Sequence, residues 1–226
     1  MRKHWLTSTL AAVFFIAFGF QQTSQAQALS SVGKLGVFGG VTFEQLDDIP
    51  LQGNAIELQN STSIHFGASY DQPIGPVHVR PAFVARRLGT YAFPQQEDLG
   101  FLIEGRAFDV WSFEVPVDVR YQFDDVGDTV APYIFAGPTI ATYYAEEDFS
   151  QALNRVAWSG QIGVGAELDF AGLPLSISPE VQYSFGITDL VEEDFDFRFQ
   201  SFSTDGLATS GFSLRVYVSY DLASLF

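Results

Sequence analysis

The sequence has no cysteine, a single methionine and very few lysines. Without cysteine the chain forms neither disulfide bonds nor thiolate centres, so backbone hydrogen bonds and packing must hold it together. It also lacks any run of 18 uninterrupted apolar residues, which is the signal expected of a transmembrane helix. Apolar residues nevertheless make up 47% of the chain. These apolar residues must therefore be spread along the chain among polar ones, and a bundle of membrane-spanning helices is not expected.

Positive charge is scarce as well. Lys and Arg total 11 against 27 Asp and Glu, which gives a formal net charge of −16. Nucleic acids are polyanions whose binding surfaces require Lys and Arg, so we do not expect a nucleic-acid partner.

The N-terminal segment has the three parts of a secretory signal peptide. A basic start (MRKHW) precedes an apolar run (LAAVFFIAFGF), and an A-x-A cleavage site follows within QQTSQAQA. We therefore expect residues 1–28 to be removed and residues 29–226 to form one domain. An N-terminal membrane anchor is the alternative, but the apolar run has about half of the roughly 20 residues that a spanning helix needs.

Alternation of apolar and polar residues dominates the rest of the chain. It is clearest in WSFEVPVDVRYQF, where every second side chain is aromatic or Val. A period of two is typical of a strand with one apolar face and does not fit an amphipathic helix. Each stretch is also close to the 9 to 11 residues that a tilted strand needs to cross a bilayer. The predicted strands are KLGVFGGVTFE (34–44), SIHFGASYD (63–71), VHVRPAFVARR (77–87), WSFEVPVDVRYQF (111–123), APYIFAGPTIATYY (131–144), QIGVGAELDF (161–170), LSISPEVQYSF (175–185) and SGFSLRVYVSYDL (210–222).

The connections between these strands alternate between long and short. Tight sequences such as QPIGP, DDVGDT and AGLP follow every second strand, and the other connections have about 12 to 24 residues. This is typical of an outer-membrane barrel, with long loops outside the cell and short turns in the periplasm. We therefore predict an all-β fold, an eight-stranded antiparallel up-and-down transmembrane β-barrel. Its closing strand pairs with the first, so that no sheet edge meets lipid.

Aromatic residues favour the membrane over a soluble, lipocalin-like barrel, which would direct its apolar face inward. Membrane barrels carry an aromatic girdle at each interface. The predicted girdles comprise Tyr70, Tyr121, Phe123, Tyr133, Phe170 and Tyr220 beside the short turns, and Phe43, Trp111, Tyr143, Trp158, Phe185 and Phe212 beside the long loops.

One further stretch, FDFRFQSF at residues 195–202, also alternates. Counting it as a barrel strand would give nine strands and an odd number. We interpret it as a hairpin arm projecting from the fourth outer loop. A ten-stranded barrel with one more strand elsewhere is the alternative.

The second half of the chain carries a recurring order of strand motifs. They are FEVPVDVRYQF, APYIFAGPTIATYY, GQIGVGAELDF, LSISPEVQYSFGITDL and FSLRVYVSYDL, within residues 113–222. This region resembles the PorT-like outer-membrane β-barrel family. The resemblance implies an eight-stranded barrel. It does not imply one activity, because the secretion role of the family's namesake belongs to a narrower group.

An eight-stranded barrel is filled by its own side chains, and the alternation predicts that the filling here is charged. Buried ions need partners, and counting along the strands places Arg80 near Asp118 and Glu180 near Arg215. We interpret the charges as a structural network that holds the barrel closed; an ion or proton path is the alternative. The predicted interior polar network comprises Arg80, Glu114, Asp118, Arg120, Glu167, Glu180 and Arg215.

The sequence offers little for catalysis, and we expect no enzymatic activity. His65 with Ser63 and Ser69 is the best candidate for a base beside a nucleophile, but this Ser-rich chain contains many such neighbours. The acidic stretches DDVGDT and VEEDFDF lack the ligand spacing of a calcium loop. We therefore expect neither a metal site nor a cofactor.

These features together predict a monomeric protein of the cell outer membrane with a structural or interaction role carried by long acidic outer loops. The expected partners are outer-membrane lipid, lipopolysaccharide and, during biogenesis, the barrel assembly machinery. Of the adjacent Arg86 and Arg87, one must point outward, where it could meet lipopolysaccharide phosphates. The alternatives are a narrow channel for small solutes, a secretion-accessory barrel and a lipid-modifying enzyme.

Overall fold

Strands make up nearly all of the regular structure in this computed structural model. No helix in the described part of the chain is long and apolar enough to cross a membrane. The structure describes residues 32–45, 49–51, 54–56, 62–92, 107–123, 129–144, 156–170, 172–189, 194–197, 200–203 and 209–225. The barrel strands are β1 (Lys34–Gln45), β2 (Thr62–Ile74), β3 (Val77–Ala92), β4 (Ala107–Gln122), β5 (Val130–Tyr144), β6 (Ala157–Asp169), β7 (Leu175–Gly186) and β8 (Ser210–Asp221).

These eight strands close into an antiparallel barrel in which each strand pairs with its neighbours in the chain. Closure is made by β1 and β8, which pair from Lys34 opposite Asp221 to Gln45 opposite Ser210. The predicted eight-stranded, all-antiparallel barrel is therefore confirmed. The predicted pairing of the first and last strands is also confirmed, and it satisfies their backbone hydrogen-bonding groups without an open sheet edge.

The barrel is polar inside and apolar outside. Along β8, Leu214 and Val216 are exposed on the exterior, whereas Ser213 and Arg215 are buried in the interior. Successive side chains of a strand point to opposite faces, so the same division recurs around the barrel. This distribution is the reverse of the one that a soluble, lipocalin-like barrel requires.

Two of the aromatic residues predicted for the girdles face the interior instead. Tyr133 is only 1% exposed. Tyr143 lies opposite Ser112, a fully buried residue, in the pairing of β5 with β4. The girdle assignment was wrong for these two residues because it considered only closeness to a strand end. The alternation along the strand decides which side of the wall a side chain occupies.

The short connections are tight turns where the structure describes them. Gly75 between β2 and β3 has φ of 67°, and Gly172 between β6 and β7 has φ of 80°. This left-handed region is accessible to glycine at little steric cost. The third short connection, DDVGDT, lies largely outside the described residues.

Two hairpins and one short helix lie apart from the barrel wall. Ile49–Leu51 pairs with Asn54–Ile56, and a 3₁₀ turn at Leu222–Leu225 follows β8. Asp194–Phe197 pairs with Gln200–Ser203 in a separate two-stranded sheet. The predicted hairpin arm around residues 195–202 is therefore confirmed, and it adds no strand to the barrel.

Candidate functional site in the barrel interior

The interior holds four groups of polar side chains, stacked from the end with the short turns to the end with the long loops. Each group draws on several strands, because inward positions recur at every second residue. The groups are the turn-side cluster (Lys34, Asp71, His78, Arg120, Glu167), the central cluster (Arg80, Asp118, Gln161, Glu180), the Arg215 group (Thr42, His65, Ser213, Arg215) and the loop-side cluster (Glu44, Arg86, Ser112, Glu114).

Arg80 organises the central cluster. Its Nη2 donates to Asp118 Oδ2 at 3.2 Å, and its Nη1 donates to Glu180 Oε1 at 2.5 Å. Gln161 Nε2 donates to Asp118 Oδ1 at 2.5 Å, and Tyr133 Oη donates to Glu180 Oε1 at 2.6 Å. One guanidinium therefore links β3 to the neighbouring β4 and, across the interior, to β7. Charge-assisted hydrogen bonds of this kind are among the stronger ones in proteins.

Aromatic rings pack against the arginines. The guanidinium carbon of Arg80 lies 4.5 Å from the ring centroid of Tyr217 and 5.1 Å from that of Phe135. The guanidinium carbon of Arg120 lies 3.9 Å from the ring centroid of Tyr133. These distances are within the range of cation–π attraction, which strengthens where water is excluded. The rings also occupy interior volume that water would otherwise fill.

Arg120 is the hub of the turn-side cluster. It donates to Asp71 Oδ2 at 2.8 Å and also hydrogen-bonds to Glu167. Lys34 pairs with the same Glu167, and His78 Nδ1 lies 2.8 Å from Asp71 Oδ1. The cluster joins residues from five strands and spans the interior near the short turns.

The Arg215 group is a chain of hydrogen bonds between β8, β2 and β1. Arg215 Nε donates to His65 Nε2 at 3.1 Å, and His65 Nδ1 lies 3.1 Å from Thr42 Oγ1. Thr42 Oγ1 lies 2.7 Å from Ser213 Oγ. Because Nε2 of His65 accepts, a neutral imidazole carries its proton on Nδ1 and donates it to Thr42.

The loop-side cluster has two carboxylates and one arginine. Arg86 Nη1 lies 2.8 Å from Glu44 Oε1, and Arg86 Nη2 lies 2.5 Å from Glu114 Oε1. Ser112 Oγ donates to Glu114 Oε1 at 2.8 Å. Both carboxylates are buried, so Arg86 provides the positive charge that offsets their desolvation.

Glycines on the neighbouring strands give the large interior rings their space. Gly165 lies opposite Tyr133, Gly163 opposite Phe135 and Gly67 opposite Phe38 in the strand pairing. A Cβ at Gly165 would fall 2.5 Å from Cζ of Tyr133, which is inside van der Waals contact. The rings therefore lie flat across glycines, and the interior is packed despite its polarity.

All seven residues of the predicted network lie in the buried interior. Arg80 and Asp118 form the ion pair that the sequence predicts. Glu180 lies opposite Arg215 in the strand register, yet its carboxylate pairs with Arg80. The expected Glu180–Arg215 proximity is present along the strands, but the ion pair is made across the barrel, because a long side chain on β3 reaches the same carboxylate.

Several members of the site were not in the predicted network. Lys34, Glu44 and Asp71 stand at inward positions of strands whose alternation is clear, so their burial could have been predicted from the pattern. Tyr133 could have been found by the same alternation. No local signal in the sequence indicates that its hydroxyl reaches Glu180, because that contact joins β5 to a strand that is not its neighbour.

The catalytic candidate around His65 is not assembled as a base beside a serine. The ring nitrogens of His65 contact Thr42 and Arg215. Within the described residues, no group of three or more His, Cys, Asp or Glu side chains could hold a metal ion. The stretch VEEDFDF and most of DDVGDT lie outside the part whose side chains are described.

The closed antiparallel wall, apolar exterior and charged interior define the class of protein, an eight-stranded β-barrel of the outer-membrane type. The structure is similar to OprG, an outer membrane protein of Pseudomonas aeruginosa, with a TM-score of 0.54 and 11% identity over 84% of this chain and 96% of that one. Neisserial surface protein A matches with a TM-score of 0.45 and 12% identity, over 83% and 99% of the two chains. No protein-family model matches the sequence, and no curated protein matches it at a significant level.

The expectation from the sequence that the chain has no enzymatic activity was wrong, because an enzyme is among the barrels that its structure matches. The outer membrane enzyme PagL also matches, at 14% identity and a TM-score of 0.39, over 81% of this chain and 97% of that one. Barrels with catalytic and non-catalytic roles are therefore both found among the matches, and the fold does not decide between them.

Proposed function

We propose that this chain is an integral outer-membrane protein whose barrel is closed to solutes. Its role, structural or in molecular interaction, is carried by the long acidic outer loops. The observation that carries the proposal is the wall itself: a predominantly apolar exterior surrounds an interior crosslinked by buried ion pairs.

The exterior supports a membrane location. Large apolar side chains remain substantially exposed on every barrel strand, including Val37, Phe66, Val119, Ile134 and Val164. A continuous apolar belt of this kind would drive association in water, whereas lipid acyl chains cover it without cost. Residues 1–28 would be the signal peptide and residues 29–226 the mature protein, a monomer inserted by the barrel assembly machinery.

The interior supports closure. The described interior contains five cationic and six carboxylate side chains, and three of the arginines also pack against aromatic rings. The cations and carboxylates are Lys34, Arg80, Arg86, Arg120 and Arg215, and Glu44, Asp71, Glu114, Asp118, Glu167 and Glu180. Since the two signs nearly cancel and the arginines also pack against rings, the paired side chains would block the interior.

The outer loops are where a function specific to this chain would reside. They are acidic, with Glu146, Glu147 and Asp148 in the third long connection and Glu192 and Glu193 in the fourth. Such surfaces suit cationic partners, or lipopolysaccharide bridged by divalent cations. The resemblance to the PorT-like family adds a secretion-accessory role as one form that this interaction could take.

One observation favours a narrow channel as a second candidate. Gln182 Oε1 and Nη1 of Arg215 are buried without a hydrogen-bond partner. Buried polar atoms of this kind are usually satisfied by ordered water, and water inside the barrel is the first requirement of a conducting path.

Single-channel recording separates the two candidates. We expect the mature protein, folded and reconstituted in a planar bilayer, to show no steady conductance, because its interior is occupied by paired side chains. Reproducible openings that change on Arg120→Ala, but not on Arg87→Gln at the exterior, would contradict the closed interior and establish a channel. Strand-rich circular dichroism and heat-modifiable gel mobility would verify insertion before recording.

A further inference from the structure

Arg215 is a buried cation without an ion pair. It is 4% exposed, and its Nε donates to His65 Nε2. In the part of the chain that the structure describes, no carboxylate pairs with Arg215, and its Nη1 is buried without a hydrogen-bond partner. A buried charge without a partner of opposite sign is costly. The guanidinium of Arg215 therefore lacks a carboxylate that would offset its charge.

Glu180 lies beside this guanidinium and has one unused oxygen. The two residues are directly opposite each other in the pairing of β7 with β8, where Cβ atoms are about 4.5–5.5 Å apart. Glu180 Oε1 accepts from both Arg80 and Tyr133, whereas Oε2 is buried without a hydrogen-bond partner among the described residues. A donor on β8 and an acceptor on β7 are thus both unpartnered at neighbouring positions.

The interior charges are shared unevenly between the two arginines. Arg80 binds two carboxylates, Asp118 and Glu180, whereas Arg215 binds none in the described interior. Asp118 is the register neighbour of Arg80, as Glu180 is of Arg215. If the Glu180 side chain turned from Arg80 to Arg215, each arginine would have one carboxylate, and both pairs would run along the wall. Arg215 would keep its bond to His65, because Nε and Nη1 are separate donors of the guanidinium.

The present position of Glu180 places an ion pair across the middle of the barrel. Arg80 is on β3 and Glu180 on β7, four strands apart in a ring of eight, so their contact crosses the interior. On the loop side of Glu180, the inward residues Ser159 of β6 and Ser184 of β7 are small and half-buried. Water can approach Glu180 past these short side chains. Release of Glu180 would extend this approach to Ser178, the next inward residue of β7 on the turn side.

We propose that Glu180 is a two-position latch: paired with Arg80 it closes the middle of the barrel, and paired with Arg215 it opens the middle to water from the loop side. The proposal rests on the closed, membrane-inserted barrel proposed above, and it lets the interior open without leaving a buried charge unpaired. The hydrogen bond from Tyr133 Oη favours the closed position. The turn-side cluster around Arg120 stays in place in both positions, so the open position admits water without forming a continuous channel.

Thiol accessibility tests the latch, because the chain has no cysteine of its own. Ser178→Cys would place a single thiol on the turn side of Glu180, at a position that is 3% exposed. The full chain would be expressed, purified from outer membranes and reconstituted in nanodiscs. The rate of its reaction with a small, water-soluble methanethiosulfonate would then be measured. Heat-modifiable gel mobility would verify that each variant is inserted.

We expect Tyr133→Phe to accelerate the reaction of the Ser178→Cys thiol by roughly tenfold, the population shift that loss of one hydrogen bond to a charged group gives. Adding Arg215→Met should restore the slow rate, because Glu180 then has no second cation, whereas Arg215→Lys should keep most of the acceleration. Arg215→Gln would replace Arg215→Met if the latter does not insert. Tyr143→Phe, which removes a hydroxyl from another inward tyrosine of β5, is the matched control and should leave the rate unchanged.

Two results would overturn the latch. They are a rate that Tyr133→Phe leaves unchanged and an acceleration that survives the loss of the Arg215 charge. In both, Ser178→Cys alone reacts slowly, so the closed barrel proposed above stands. Fast reaction of Ser178→Cys alone would instead overturn the closed interior together with the latch.

Discussion

Arg80 shows how a single residue can hold distant parts of this barrel together. It is 2% exposed, binds two carboxylates on different strands and lies between two aromatic rings. Burying an ion pair is costly, but removing one partner from it is costlier, because the remaining charge stays buried. Loss of Arg80 would therefore destabilise the barrel mainly because it leaves two buried carboxylates without their common cation.

We expect Arg80→Met to destabilise the barrel by about 3–5 kcal/mol, because Asp118 and Glu180 would lose their common cation. Urea unfolding in detergent micelles, followed by heat-modifiable gel mobility, would measure the change. Arg87→Gln on the exterior is the matched control and should change stability by less than about 0.5 kcal/mol.

The origin of that loss can be tested separately. Adding Asp118→Asn and Glu180→Gln to Arg80→Met neutralises the stranded carboxylates, so much of the lost stability should return. A triple variant as unstable as Arg80→Met alone would attribute the loss to packing against Phe135 and Tyr217 instead of to charge.

A second feature at the scale of single residues is a glycine that lies opposite an aromatic ring and leaves space for it. Tyr133 lies across Gly165, donates to Glu180 and packs under Arg120. We expect Gly165→Ala to displace the ring, break these contacts and destabilise the barrel by about 1–3 kcal/mol, the usual cost of overpacking. Equilibrium unfolding in micelles would measure it.

Gly39 supplies the control for that substitution. It also lies within a barrel strand, but a Cβ there would meet nothing closer than 3.8 Å. Gly39→Ala should therefore be close to neutral or slightly stabilising, since it reduces the freedom of the unfolded chain. An equal loss in both variants would contradict the packing explanation.

For the individual strands, the alternation in the sequence is clear where the two faces of a strand differ in polarity and weak where they do not. β4 has apolar residues outward and polar or charged residues inward, so its alternation is unmistakable. β5 has Ala131, Tyr133 and Phe135 inward and Ile134 outward, so its two faces look alike in sequence. Its confirmed assignment as a strand depended on the strands around it. The interior positions of Tyr133 and Tyr143 were missed on this same strand.

The hairpin at Asp194–Phe197 and Gln200–Ser203 is an element that folds beside the barrel and not within it. We expect replacement of residues 190–208 by a short Gly-Ser linker to leave insertion and heat-modifiable mobility unchanged, because lengthening or shortening a surface loop costs little. Scrambling residues 190–208 at constant length is the matched control. Loss of barrel formation in both variants would show that the hairpin sequence belongs to the wall, whereas loss in the shortened variant alone would show only that the connection needs its length.

For the whole molecule, closure is the property on which the others depend. An unpaired edge in lipid costs several kcal/mol for each unsatisfied group, so β1 and β8 must meet along their full lengths, as they do. Closure also brings Asp71 of β2 and Glu167 of β6 to Arg120 of β4, and Lys34 of β1 to the same Glu167. A polar core thus becomes possible in a protein that lacks a conventional apolar interior.

The sequence by itself determined the strands, their number, their alternating connections and, on strands whose two faces differ in polarity, the face to which a side chain belongs. These follow from a period of two and from turn chemistry, which are local properties. The ion pair of Arg80 with its register neighbour Asp118 also followed from the sequence, but only the tertiary structure decided the pairs that are made across the interior. Glu180 meets Arg80 and not its register neighbour Arg215, and Arg120 meets Asp71 and Glu167. Those partners come from strands far apart in the chain, and the curvature of the closed wall, which no local pattern encodes, sets the distances between them.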